Sequence, residues 1–417
     1  MRPAWARSVL AVAAIVLIGT ATASAQAPSF TLKIGVLAGL TGDPAADGQS
    51  WNEAVRVGVD AVQAALAQSK LAGVKVELTD SQDSQGTPQQ GVEAAQKLVQ
   101  IDGVNVVIGD FYSSVTSAAA TAVTIPGKVL MFTGGTNPSL TKLNAGTPAY
   151  LWQPVAADDE QGVALVQVIG EELGPHATIN VAARNDAYGS SLAAVFRSQW
   201  VAAGGRIGQF VLYNPQQPTL DTEAGQVAGG APDGWLFIDF CQTFEKLEQP
   251  LARTGKWNAG KSFGSDTLND CATHGGHNYP GLRATQANAS SGASFPAFKA
   301  LFEKNAKHGV AFQPFTAEAF DSVFVAFLAA LEARSSDPTA IAGHIVDITN
   351  DPGEHFTFEQ LDQAIAAVEA GKKIHFIGAT GPLSFSADGR VHALAYDVWL
   401  HKPDGTAGVV RTVELKP

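Results

Sequence analysis

The sequence predicts an α/β protein built as two doubly wound lobes, each a parallel sheet with helices on both faces. Two observations carry this. Short apolar runs alternate with segments of helical period, which is the signature of strand–helix–strand units and hence of parallel sheets. The rhythm also starts twice, once near the N-terminus and again after Pro154. At 417 residues and 46% hydrophobic composition, the chain can fill two large cores.

The elements follow in order. Leu32–Leu37 reads as a strand, residues 52–67 as a helix and Val74–Leu78 as a strand. A helix over 88–99, a strand over 104–108 and a strand over 129–132 complete the first series. The boundary is placed near Tyr150 to Pro154. Beyond it come a helix over 161–173, a strand over 178–183, a helix over 191–203 and strands over 207–213 and 235–240. Two apolar helices, 317–334 and 358–370, precede strand-like segments between Gly381 and Val413 that flank the turn Ala387-Asp388-Gly389-Arg390. No low-complexity linker separates the halves and no short-period repeat appears.

The first 25 residues differ from the rest. Arg2 and Arg7 precede the apolar run Val9–Ile18, and Ala23-Ser24-Ala25 is a small-x-small cleavage signal. This is the pattern of a secretory leader cut after Ala25, an uncleaved anchor being the alternative. Loss of the two arginines takes the net charge from −12 to about −14. So acidic a chain argues against a nucleic-acid partner, because phosphates need a basic surface. Export to an oxidising compartment favours a disulfide between the two cysteines, Cys241 and Cys271, over two free buried thiols. In the chain-entropy picture, closing a loop of this size stabilises by roughly 3–4 kcal/mol.

Open parallel sheets bind ligands beyond the carboxyl ends of their strands. "GDFYSS", Gly109 to Ser114, follows such a strand and opens a helix, so hydroxyls and aromatics crowd one turn. Cys271-x-x-His274-x-x-His277 has spacing that could hold a metal, but no fourth ligand is evident and Cys241 competes for Cys271. Asp388-Gly389 lacks the acidic ladder of a calcium loop. No nucleophile elbow, phosphate loop or zinc-protease motif occurs, so an enzyme has no positive support and no cofactor is expected.

Several motifs, taken in order, resemble the type I periplasmic binding proteins of the leucine/isoleucine/valine-binding family. They are "LKIGVLAGLTGDPAADGQS", "VNVVIGDFYSSVTS", "VLMFTGGTNPSLT", "ADDEQG", "ARNDAYGSSLA", "FGSDTLND" and "GKKIHFIGATGPLSFSADGRV". The resemblance implies lobes joined by three crossovers, near 151–156, 283–288 and 380–386. The first lobe would take 26–153 and 287–382, and the second 154–286 and 383–417. It further implies a monomer that captures a small amino acid, branched-chain or aromatic, by hinge closure in the periplasm and delivers it to an inner-membrane ABC permease. An aromatic carboxylic acid, short amide or urea is the alternative ligand. A ligand-sensing receptor subunit and a hydrolase on the same scaffold are the alternative functions.

Residue by residue, Ser113 and Thr136 fall where the family binds the ligand carboxylate, joined by the Gly134 carbonyl and the Thr136 N–H. Both hydroxyls could instead cap helices. Asp266 stands where the family has a Glu that pairs with the ammonium, one methylene further back, or else caps the following turn. Tyr188, Phe240, Phe111, Tyr112 and Trp51 would form the side-chain pocket or pack in the core. The family's first-lobe disulfide is replaced by Ser84 and Tyr112, and its first-turn Tyr by Asp47. Asp47 and Asp239 would add acids to the cleft or be solvated surface acids.

Overall fold

Strand β1 (Phe30–Ala38) is an interior strand of the first sheet, and its second half is buried without interruption. A strand flanked by helices on both faces has no solvent side, so it loses the alternation of an exposed strand. The structure is a computed structural model that describes residues 28–415 except 43–44, 145, 147, 273–276, 289–291 and 394. The expected leader with its cleavage point, and His274, lie outside the described residues.

The chain continues through α1 (Ala45–Gln68), β2 (Val74–Leu78), β3 (Gln82–Asp83), α2 (Pro88–Gln96), β4 (Val106–Ile108), α3 (Ser113–Ala119), β5 (Leu130–Phe132) and β6 (Leu151–Trp152). The sheet order is β2-β1-β4-β5-β6, with β3 also on β1, and every pairing is parallel. Thr87 caps α2 by accepting the Gln90 N–H, and Pro88 occupies the first turn, where its missing N–H costs nothing.

The second sheet forms from α4 (Asp158–Leu173), β7 (Thr178–Arg184), α5 (Gly189–Ala202), β8 (Arg206–Tyr213), α6 (Asp221–Val227), β9 (Gly234–Ile238), α7 (Cys241–Arg253), β10 (Ser262–Gly264) and β11 (Arg283–Ala287). The chain then returns to the first lobe with α8 (Phe295–Asn305) and α9 (Thr316–Glu332), which packs along α1. α9 is buried from Thr316 to Leu331, on all sides, as its apolar sequence requires. Next come α10 (Pro338–Ala342), α11 (Ile345–Thr349), β12 (Glu354–Phe356), α12 (Leu361–Glu369), β13 (Ile374–Gly378) and β14 (Gly381–Pro382), whose strands make a small third sheet. The hairpin β15 (Ala395–His401) and β16 (Ala407–Glu414) adds antiparallel strands to β11, giving the order β16-β15-β11-β10-β9-β7-β8. The backbone thus passes between the lobes after β6, after β11 and after β14.

The third passage is pinned by charge. Arg390 donates to both oxygens of Asp159, at 2.7 and 3.2 Å, and Glu160 accepts from the Ala393 N–H at 2.9 Å. Cys241 and Cys271 are bonded, their Cα atoms 5.3 Å apart, which ties the start of α7 to the loop that follows residues 266–268. No helix among the described residues is long and apolar enough to cross a membrane.

Candidate ligand site

The turn after β4 is organised by one buried acid. The Asp110 carboxylate accepts the Tyr112 N–H at 2.7 Å and the Ser84 hydroxyl at 2.5 Å. Its backbone carbonyl accepts from the hydroxyls of Thr116 (3.1 Å) and Thr133 (2.9 Å) and from the Gly134 N–H (3.1 Å). The ends of β4 and β5 are therefore locked together. Burial pushes the Asp110 carboxyl up to about 6, and its Ser84 and backbone hydrogen bonds work in the opposite direction.

That lock sets out the first-lobe wall. Ser113 is the first residue of α3, and its hydroxyl accepts the Asn137 N–H at 3.3 Å, so it serves the neighbouring loop. Gly134 admits no side chain: a Cβ there would come within 2.8 Å of the Trp51 ring and 3.3 Å of Phe111. The Thr136 carbonyl accepts the Asp158 N–H at 2.9 Å, which links this wall to the start of α4.

The second-lobe wall carries charge. Asp266 Oδ1 accepts from the Tyr188 hydroxyl at 2.6 Å and from the Thr267 N–H at 3.0 Å. Burial pushes Asp266 up to about 6, while the Tyr188 hydrogen bond pulls it down. Asp158 is fully buried, and neither of its carboxylate oxygens accepts a hydrogen bond of good geometry. Burial drives its pKa well above the ordinary value; the nearby Thr136 hydroxyl opposes this, and the charges of Asp266, Asp159 and Asp186 add to it. Of these two buried acids, Asp266 is hydrogen-bonded within the protein and Asp158 is not.

Phe111, Ser113, Gly134 and Thr136 from the first lobe meet Tyr188, Phe240, Asp266 and Thr267 from the second around one cavity, closed at the side by Phe315. The cavity has room for about one water molecule. Aromatic rings make up much of its wall, so a ligand enters only when the lobes or these rings move apart.

Seven residues singled out in the sequence therefore share one cavity. Two do not line it. Tyr112 lies a layer back, stacked on Phe240 with centroids 4.5 Å apart, and Trp51 packs beneath Gly134. Of the two places left open for them, pocket or core, both take the core. Asp47 and Asp239 are buried, which corrects the reading of either as a solvated surface acid, and neither lines the cavity. Asp239 is answered inside the protein by the Tyr213 hydroxyl, by the Phe240 N–H at 2.8 Å and by Arg184 at 3.5 Å. Burial still pushes its pKa up to about 7, with Arg184 opposing. With Cys271 in a disulfide, the thiolate that a Cys271–His277 metal site would need is absent, and His277 lies 3.2 Å from Glu245.

Sequence reasoning missed Thr267 and Phe315, which line the cavity, and Asp158 and Arg184, which lie behind it. Asp158 had a visible signal, since it is the first acid of "ADDEQG" and opens a helix at the lobe boundary. Arg184 ends β7 beside Asp186, and its guanidinium sits 4.3 Å over the Phe240 ring, which it holds toward the cavity. Phe315 precedes α9 with φ of 62°, a backbone state that no residue pattern announces for a Phe.

The sequence profile described as periplasmic binding protein matches residues 31–404. A chemotactic signal transduction substrate-binding protein from Halobacterium salinarum is 22% identical over 74% of this chain and 72% of its own. Among solved structures, a branched-chain amino acid transporter substrate-binding protein from Streptococcus pneumoniae, in complex with isoleucine, superposes with a TM-score of 0.72. It is 20% identical and covers 93% of this chain and 100% of its own. An ABC transporter solute-binding protein from R. palustris, in complex with 4-hydroxybenzoate, gives 0.70 at 17% identity, covering 93% of this chain and 98% of its own. With the profile spanning nearly all of the described chain and the two-lobed architecture shared, this protein belongs to the periplasmic binding protein family.

Proposed function

We propose that the protein is the periplasmic receptor of an ABC importer and captures a small amino acid between its lobes. The carrying observation is the asymmetry of the cavity. Its first-lobe wall offers the Ser113 hydroxyl at the start of α3 and the Thr136 hydroxyl from the loop after β5, a favourable seat for a carboxylate. Its second-lobe wall offers Asp266, with Asp158 behind the junction, and no lining residue is cationic. Buried carboxylates without a partner are costly, so the ligand is expected to bring the cation. An α-amino acid carries both charges at the required ends. The lobe boundaries near 153, 287 and 382 serve as the hinge, and the ligand favours closure because it binds the closed form better.

A second reading, uptake of an aromatic acid, is favoured by the rings of Phe111, Phe240, Phe315 and Tyr188 around the cavity and by the hydroxybenzoate-bound relative. A sensing role is suggested by the chemotactic relative, and neighbouring permease and ATPase genes rather than a receptor gene would decide for import. The direct test is a thermal-shift panel on the mature chain, unfolded and refolded to remove carried-over ligand. A true ligand at 100 times its Kd adds about 2.7 kcal/mol to stability. Stabilisation by neutral amino acids supports the proposal, and stabilisation by none of them ends it.

A further inference from the structure

Away from the cleft, the small third sheet brings together three side chains that the ligand site does not use. β12 and β13 run parallel, with His355 and His375 as direct partners in the ladder. Paired residues on adjacent strands point to the same side, so the two imidazoles leave the same face, with ring centroids 4.7 Å apart. Asp351, in the turn before β12, completes the group. Its Oδ1 lies 3.1 Å from His355 Nε2 and 3.2 Å from His375 Nδ1. One ligand atom from each residue lies within 4.8 Å of the other two.

We propose that Asp351, His355 and His375 bind a divalent transition cation of the Zn²⁺ or Ni²⁺ kind. A tetrahedral ion holding nitrogen and oxygen at about 2.0–2.2 Å places its ligand atoms roughly 3.3 Å apart. Both Asp351–imidazole separations already have that value. The third, between the imidazole nitrogens, closes by a turn of the His355 ring, which is exposed, while His375 is buried on its strand. The donor set selects the metal class. Two imidazoles and one carboxylate suit zinc, nickel or copper, whereas calcium and magnesium want oxygen shells that this face does not offer. Three protein ligands leave a position for water, and the ion would join the 351–353 turn to β13 across the sheet. When Nδ1 of His375 binds the ion, its buried Nε2 carries the ring proton.

The test uses the full mature chain, dialysed against chelator and titrated calorimetrically with ZnCl₂. One saturable Zn²⁺ per chain is expected, and Asp351→Asn and His355→Asn should each weaken it by at least about tenfold. Both residues are exposed, so these variants should keep the wild-type Tm without metal. His277→Asn, at the other histidine-bearing loop, should leave the titration unchanged. Absence of zinc binding, equal affinity in the Asp351 and His355 variants, loss of binding in the His277 variant, or calcium binding as tight as zinc would each overturn the assignment.

Discussion

The two walls of the cleft are built on opposite principles. The first-lobe wall is neutral where it faces the cavity, and it is held rigid by Asp110, whose carbonyl and carboxylate together take five hydrogen bonds. The second-lobe wall holds its acids, Asp266 and Asp158, in positions where burial raises both pKa values. The difference teaches how a hinged receptor divides the work. A preorganised donor wall can seat an anion at little cost in the open state. On the proposed reading, the charge of Asp266 is balanced only when the ligand's ammonium arrives and the lobes close, so closure and recognition of the cation are one event.

The largest expected effect therefore lies on the second wall. Asp266→Asn keeps the shape but removes the charge opposite the ammonium. It should cost about 2–5 kcal/mol of affinity for an amino acid, roughly 30-fold or more, in a calorimetric titration. An unchanged affinity would mean that the two walls do not differ in the way described. Ser113→Ala removes one donor to a charged group, worth about 1.5–3 kcal/mol, and should leave the Tm of the ligand-free lobe near its wild-type value because Asp110 holds the turn.

The pH dependence probes the acidic wall, with Asp266→Asn as the control because Asp110 behind the first wall is also raised to about 6. Asp266 has its pKa raised from 3.8 to about 6 in the folded protein. An ammonium must meet the ionised carboxylate, so affinity should fall as pH drops through about 6. Stability runs the other way for the same group. The folded state binds its proton more tightly than the unfolded chain, so the free protein should gain stability from Asp266 as pH falls from about 6 toward 4. Thermal melts with and without ligand across this range should therefore converge on the acid side, and Asp266→Asn should flatten the contrast.

The smallest effect concerns closure alone. The Asn137 side chain on the first lobe donates to the Ala187 carbonyl on the second, at 2.5 Å, without lining the cavity. Asn137→Ala removes one neutral hydrogen bond from the closed form. It should raise Kd by about 2- to 10-fold, mainly through faster ligand release.

Much of this was legible in the sequence because it rests on local rules. Val74–Leu78 became β2 with no change of bounds, and "GDFYSS" lies between a strand and α3 with Phe111 and Ser113 at the cavity. α7 escaped notice although Phe244, Leu247 and Leu251 share one helical face, because Pro250 interrupts the pattern. The strand over 235–240 stops at Ile238 because Asp239 and Phe240 turn out of the ladder toward Arg184. Tyr112 and Trp51 take the core alternative by a single packing layer, a choice that residue type cannot encode. Phe315 reaches the cavity, and Asp158 comes near Asp266, only through contacts between segments more than 20 residues apart.

The most direct test of the central claim compares matched ligands that differ only in the amine. Calorimetric titration at neutral pH of leucine against 4-methylpentanoate, and of phenylalanine against 3-phenylpropanoate, isolates the interaction with the acidic wall. The account predicts that an amino acid of one of these pairs binds at least 30-fold more tightly than its amine-free partner, and that Asp266→Asn erases the difference. Equal or tighter binding of the amine-free acids would contradict it. That outcome would leave Ser113 and Thr136 as the seat of a carboxylate and Asp266 without a role in recognition.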